Sequence, residues 1–347
     1  MHIRGSDPKR DTMLTNKLSI SAIALASLTA LGACNERPMS YGDANSIIAV
    51  MAPDRWDAMA DDVFEALEPP ITTVRSEKTF TVTYQEPYAE FWDRLRRFRQ
   101  MMVVGTASDP WVQEVMDRAR DPISETGVHQ IRNVWSNDQI VTLVLLGEGW
   151  DREDLLPRLA RVHELLDAQF RRYAQNRMYF SGVDSALADT LSMRAGFTMY
   201  LPNVYRWQQS DSVYVFRNDQ PDPSELIRQV AVTWRTPAPG EMAVDEMLDW
   251  RNRVADEHYS EPQDLVLEGA EERAFDHQGS DAQEVQAQWR NPPDRGWPAG
   301  GPLITRTVTC DEQDRTYLLD AWLYAPGREK YEYMIQLETL LDTFRCL

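Results

Sequence analysis

Of the side chains able to do covalent chemistry, the three cysteines of this 347-residue chain say most, because each sits in a context that limits its use. Cys34 closes Leu31-Gly32-Ala33-Cys34, behind a short positive start (residues 13–17) and an apolar run (residues 18–31). A positive start, an apolar core shorter than the roughly 20 residues of a spanning helix, and small residues before a cysteine read as the signal peptide and lipidation site of a bacterial lipoprotein. Residues 1–33 are then an N-terminal extension and signal, and residues 1–12 are too polar to belong to the signal itself. The expectation is a lipid-bearing Cys34 whose acyl chains hold the protein to a bilayer. Its expected location is the periplasmic side of the cell envelope, at the inner or outer membrane. Cys310 and Cys346 remain, an even pair in a compartment that permits disulfides. The expectation is a Cys310–Cys346 bond tying the C-terminal helix to a strand, with two buried thiols as the alternative.

Other reactive groups are not arranged for catalysis. His2, His129, His163, His258 and His277 are scattered, and none forms a metal-binding pair. Ser181-Gly182-Val183-Asp184-Ser185 has the wrong order for a nucleophile elbow. Gly147-Glu148-Gly149 lacks the third glycine of a dinucleotide loop, and its Glu148 would repel phosphate. Asp311, Glu312 and Asp314 lack the spacing and glycine of a calcium loop and read as a solvated hairpin turn. No catalytic residue, metal or cofactor is expected. Residues 291–302 are a better place to look for function, since four prolines and three glycines stiffen an irregular excursion there. Trp289, Arg295, Trp297 and Pro298 are the expected partner-binding residues, the alternative being that the tryptophans close the core beneath a structural turn.

Composition narrows the partners. The formal charge is −19, and removing residues 1–33, with four basic and two acidic side chains, leaves −21. Without a basic stripe there is nothing to neutralise phosphates, which excludes nucleic acid. An acidic surface could steer a basic protein, or simply keep the chain soluble. Eleven tryptophans and thirteen tyrosines suit interfaces where one end of the side chain is apolar and the other wet.

The elements that would position these residues fall into two α+β lobes, residues 34–185 and 186–347. The first opens with a buried strand at Ile47-Ile48-Ala49-Val50-Met51 and a helix carrying Trp56, Met59, Val63 and Leu67 on one face. Strands follow at residues 80–84 and 101–104, with short helices around Phe91 and Trp111. A hairpin at residues 128–146 leads into a long helix, residues 153–180, striped by Leu155, Leu159, Val162, Leu166 and Phe170. The same order recurs at the C-terminus, with a hairpin at residues 303–324 and a helix at residues 329–344. A second echo links residues 50–56 to residues 200–207, and together they suggest an internal duplication. Strands are expected at residues 212–216 and 226–234, and an amphipathic helix at residues 242–258. The acidic segment 268–288 reads as a solvated helix or mobile loop. The expected architecture is α+β, two similar lobes of mostly antiparallel sheet, each backed by helices on one side.

Arg295-Gly296-Trp297, Gly300-Gly301-Pro302-Leu303 and Leu323-Tyr324-Ala325-Pro326, with the opening Ser40-Tyr41-Gly42 and Trp56, resemble an uncharacterised lipoprotein family of Bacteroidota and related phyla. That family carries a domain of unknown function. The resemblance implies an envelope lipoprotein and transfers no catalytic residue. The leading expectation is therefore a non-catalytic, lipid-anchored accessory subunit that docks on a membrane protein complex, of a respiratory or photosynthetic kind, and stabilises it. The alternatives are a periplasmic receptor for a small cationic or apolar ligand, and an envelope hydrolase.

Overall fold

The computed structural model of the protein describes residues 37–71, 73–219, 225–239 and 242–347. Met1–Pro38 and Met39–Leu347 separate as two units, and the described helices and strands lie in the second. Cys34 and the signal segment lie outside the described residues.

Apolar runs without alternation build the first sheet. β1 (Ser46–Val50) feeds α1 (Pro53–Leu67), where Pro53 sits in the first turn and its missing N–H costs nothing. A two-residue ladder joins β2 (Pro70–Ile71) to β3 (Glu77–Lys78), and β4 (Thr81–Tyr84), α2 (Trp92–Leu95), β5 (Gln100–Thr106) and α3 (Pro110–Met116) follow. The hairpin of β6 (Gly127–Arg132) and β7 (Ile140–Leu146) leads into α4 (Arg152–Met178). Asp151 caps α4 by accepting from the backbone N–H of Glu153 at 2.9 Å, while the Asp154 carboxylate accepts from the Asp151 N–H at 3.1 Å.

The strand order is β4-β1-β5-β7-β6. β1 pairs in parallel with β4 and β5, β5 pairs in parallel with β7, and only β6 runs antiparallel. Helices cover both faces: Ile47, Ala49, Met102 and Val104 pack under α1 and α4, while Ile48, Val50, Met101 and Val103 pack under α2 and α3. The expectation of one-sided, antiparallel cover does not describe this sheet. Its uninterrupted apolar strands reflect the cause, since parallel strands joined by crossover helices are buried on both sides.

The second sheet is antiparallel throughout. After α5 (Ser185–Ala195) and β8 (Phe197–Thr198) come β9 (Arg206–Ser210), β10 (Val213–Asn218), β11 (Ile227–Arg235), α6 (Val244–His258), β12 (Asp264–His277), β13 (Ser280–Arg290), β14 (Gly300–Cys310), β15 (Arg315–Tyr324), α7 (Tyr331–Asp342) and β16 (Arg345–Cys346). The order is β12-β13-β14-β15-β11-β10-β9, while β16 pairs separately with β8. Val230, Val232, Ile304, Leu319 and Leu323 pack against α5 and α7, and Ala231, Val285, Ala287, Leu318 and Trp322 against α6. Both sheets considered, most ladders are antiparallel and the class is α+β.

Two local expectations are corrected and one helix is added. Residues 268–288 are neither helix nor loop but most of the β12–β13 hairpin, whose outer strand carries its charges to solvent. Residues 185–195 form α5, capped by the Asp184 carboxylate, which accepts from the Leu187 N–H at 2.9 Å. Of the two echoes, the hairpin-then-helix order holds for β6–β7–α4 and β14–β15–α7, but Trp56 lies in a helix and Trp207 in a strand.

Cys310 at the end of β14 is bonded to Cys346 in β16, with Cα atoms 5.7 Å apart. At a sequence separation of 36, the bond is expected to contribute about 3–4 kcal/mol by restricting the unfolded chain. Replacing both cysteines with alanine should lower the urea-unfolding free energy by that amount and leave the native circular dichroism unchanged.

Candidate interaction surface

The loop of residues 291–299 is mounted on β13 and β14 by interactions that leave it little freedom. Trp289, 1% exposed, faces inward from β13, crosses the Trp322 ring edge-to-face at 5.1 Å and donates its indole N–H to the Leu323 carbonyl at 3.1 Å. That approach depends on Gly301, where a Cβ would run into the Leu323 carbonyl. Asn291 is buried and clamps the loop from within. Its side-chain amide donates to the Trp297 carbonyl at 2.6 Å and its backbone N–H to the Ala299 carbonyl at 2.9 Å. Gly296 turns the chain at φ +79°, which favours glycine.

The result is an exposed Trp297, 52% accessible, standing edge-on against Tyr324 with ring centres 5.0 Å apart. Arg295 and Pro298 are exposed beside it in sequence. The four expected residues therefore divide. Arg295, Trp297 and Pro298 are presented to solvent, whereas Trp289 is core and acts only as the mount. Its inward direction follows the alternation Val285, Ala287, Trp289 along β13.

Two buried charge clusters flank the mount and hold the sheet. On the α6 face, Asp320 accepts from Thr305 Oγ1 at 2.5 Å, from Tyr259 OH at 2.6 Å and from Arg251 Nε at 3.2 Å, and Arg251 also bonds Gln263. Burial, reinforced by Asp320, drives the Tyr259 hydroxyl well above its ordinary pKa, so it stays a donor. On the other face, Arg306 binds Glu284 at 2.6 Å and Asp342 of α7 at 2.9 Å. His277 donates to the Phe344 carbonyl at 2.9 Å and lies 3.4 Å from Arg306 Nη1. The sequence signal for both clusters was a charged residue inside an apolar strand, Arg306 in β14 and Asp320 in β15.

A third feature escaped sequence reasoning. β1 sends the chain to β4 on one side and β5 lies on the other, so the order in which the parallel strands are laid down reverses between β1 and β5. Ligand crevices of parallel sheets open at such points, beyond the carboxyl ends of the strands. Here a cavity of about 200 Å³ is lined by Asp54, Arg55, Thr106, Ser108, Asp109 and Glu148. Ser108 donates to Glu148 at 2.8 Å, Thr106 to Asp109 at 3.1 Å, and Arg55 lies over the Trp150 ring at 4.8 Å. Among the described residues, no three histidine, cysteine, aspartate or glutamate side chains gather to hold a metal. His129 bonds the Glu125 carbonyl, His163 meets Phe80 edge-on and His258 lies 3.8 Å from Glu257.

Residues 184–343 match the model of a domain of unknown function, DUF4837. The match runs from the cap of α5 to the end of α7 and includes the Trp297 loop. No curated protein matches the chain. Among solved structures, cyanobacterial PsbP (CyanoP) from Synechocystis sp. PCC 6803 is similar at 13% identity and a TM-score of 0.30, over 44% of this chain and 87% of that one. The Ran-binding protein Mog1p of Saccharomyces cerevisiae is similar at 10% identity and a TM-score of 0.31, over 44% of this chain and 90% of that one.

Removing Asp320 alone leaves Arg251 charged and buried. Asp320→Ala should cost about 3–5 kcal/mol by urea unfolding, and the paired Arg251→Met/Asp320→Leu change much less. Burial, aided by the Arg306 charge and partly countered by the Phe344 carbonyl, holds the His277 pKa below its ordinary 6.5. The unfolded chain then binds the proton first, so stability is full above pH 6.5 and falls as the pH drops below it. His277→Gln should flatten that acid limb in urea midpoints measured on either side of pH 6.5.

Proposed function

We propose that this is an envelope protein, anchored by lipid at Cys34, that docks through the loop of residues 291–299 onto a membrane-embedded protein complex as a non-catalytic accessory subunit. The observation that carries the reading is the mounting of Trp297. A large aromatic ring is held exposed by a buried asparagine clamp and a tryptophan-glycine contact, so little ordering remains to be done on binding. Interfaces concentrate their energy in such aromatic anchors, with an arginine beside them as the favoured polar companion. The acidic body, −21 once residues 1–33 are removed, suits a partner with a basic docking face.

The cavity between β1 and β5 favours a second reading, a receptor for a small cationic ligand. Asp54, Asp109 and Glu148 outnumber Arg55 on its wall, and about 200 Å³ admits only a small molecule. A thermal-shift screen with small diamines separates the readings, because a receptor should be stabilised by its ligand.

The deciding experiment is a gentle-detergent pull-down of the native chain followed by mass spectrometry. Stoichiometric recovery of one membrane complex is the expected result, and recovery of the chain alone would overturn the docking reading. Trp297→Ala should weaken capture by about 30-fold, the effect of losing a hot-spot side chain worth about 2 kcal/mol. Its melting temperature should stay close to that of the parent, because half of the ring contacts only solvent.

A further inference from the structure

Residues 39–41 enter the fold beside a basic, aromatic surface that stands apart from the acidic remainder. Met39 bridges Asn137 and Tyr41 bridges Phe98. The Tyr41 hydroxyl donates to the Arg94 carbonyl at 2.5 Å, and the Arg99 N–H donates to the Tyr41 carbonyl at 2.8 Å. Three large apolar side chains are open to solvent here, Met39 at 59%, Tyr88 at 50% and Phe91 at 52%. Arg94 lies over the Phe91 ring at 4.9 Å and Arg97 over the Tyr41 ring at 5.9 Å. Of the nearby acids, Asp93 pairs with Arg96 at 2.7 Å and Glu114 accepts from Tyr88 at 2.9 Å and Trp135 at 3.0 Å, while Glu86, Glu90 and Asp138 are exposed. Among the described residues, no carboxylate forms an ion pair with Arg94 or Arg97.

Two facts say what covers this face. A chain of net charge −21 is repelled by anionic lipid, so a local group of uncompensated arginines marks the part that can approach it. Only four residues separate Cys34 from Met39 in the sequence, and an extended segment of that length reaches no more than about 18 Å. A lipid on Cys34 would therefore keep Met39 and its neighbours close to the bilayer, within about two Debye lengths of the headgroups.

We propose that the face formed by Met39, Tyr88, Phe91, Arg94 and Arg97 rests on anionic phospholipid headgroups, a proposal that relies on the lipid-anchor reading above. Arg94 and Arg97 meet lipid phosphates while Met39 and Phe91 enter the interfacial layer, a division that suits long cationic stems and aromatic rings at a membrane surface. The anchor fixes where the protein is, and this patch fixes which side of it faces the membrane.

The test uses the full lipidated chain carrying Glu90→Cys, labelled with an environment-sensitive nitrobenzoxadiazole dye. With Cys34 acylated and Cys310 bonded to Cys346, the introduced thiol is the only free one. The protein is reconstituted on vesicles of phosphatidylcholine alone or with phosphatidylglycerol. A blue shift that appears only with phosphatidylglycerol, and is lost in Arg94→Gln/Arg97→Gln, is the expected result. Each arginine should contribute about fivefold to the population of docked protein, so the double variant should lose roughly 25-fold. The same dye at Gln208→Cys, in β9 of the second sheet, should show no shift. Equal emission on both vesicles, or a shift that survives the double substitution, overturns the assignment of this face. Intact-mass spectrometry tests the anchor separately. An acylated chain with no lipid-dependent shift defeats the face alone, whereas a chain without acyl mass at Cys34 defeats the anchor and the tether argument with it.

Discussion

The fold depends on α7 being buried on two sides at once. Leu337, Leu340 and Leu341 fill the core of the antiparallel sheet, while Ile335, on the same helix, belongs to the core of the parallel one. Around this double burial, α4 and α7 are laced together. Arg171 reaches both Asp167 and Glu338, Arg177 pairs with Glu332, Tyr331 bonds Asp167, and the Phe170 and Tyr331 rings stack at 5.5 Å. Burial raises the Glu332 carboxyl above its usual range, against the pull of Arg177. The polar contacts set the register of the two helices, and the leucines supply the greater part of the stabilisation, since apolar burial contributes about 25 cal/mol per Å² and half-exposed ion pairs little.

The same helix connects the sheet to the interaction surface. Asp342, at the end of α7, reaches back to Arg306, whose strand also carries Gly301 and so determines how closely Trp289 approaches the Leu323 carbonyl. On the opposite face, Asp320 gathers Thr305, Tyr259 and Arg251 around the neighbouring strand. The exposed Trp297 is thus the outer end of a continuous set of buried contacts, which is why a loop rich in proline and glycine can be held still.

Sequence reasoning succeeded where one periodicity governed a long stretch. The stripe of α4 and the hairpin of β6 and β7 were legible because a helix face and a polar break between two strand-forming runs each leave a pattern independent of the rest of the chain. Strand direction was not legible. The apolar runs of β1 and β5 show burial on both sides, but their parallel pairing is decided by connections tens of residues long. α5 was missed because its buried residues, Leu187, Ala188, Leu191 and Ala195, are few and half of them are alanines. At the site, Trp289 and Trp297 look equivalent by composition and differ only in that one continues an alternating strand and the other interrupts it. The carboxylates of the β1–β5 crevice lie far apart in sequence, so no local spacing could have joined them.

The acidic segment that resisted assignment has a use in the folded protein. β12 is the outermost strand of seven, fourteen residues long, with its outer hydrogen-bonding groups unpaired by any strand of the sheet. An edge of that length invites another chain to add itself, the first step toward aggregation. Glu268, Glu271, Glu272 and Asp276 line it, and its register shifts between Val266 and Glu271, which breaks the straight template an incoming strand would need. The charges that disguised the strand as a loop are what let so long an edge stay open without recruiting its own kind.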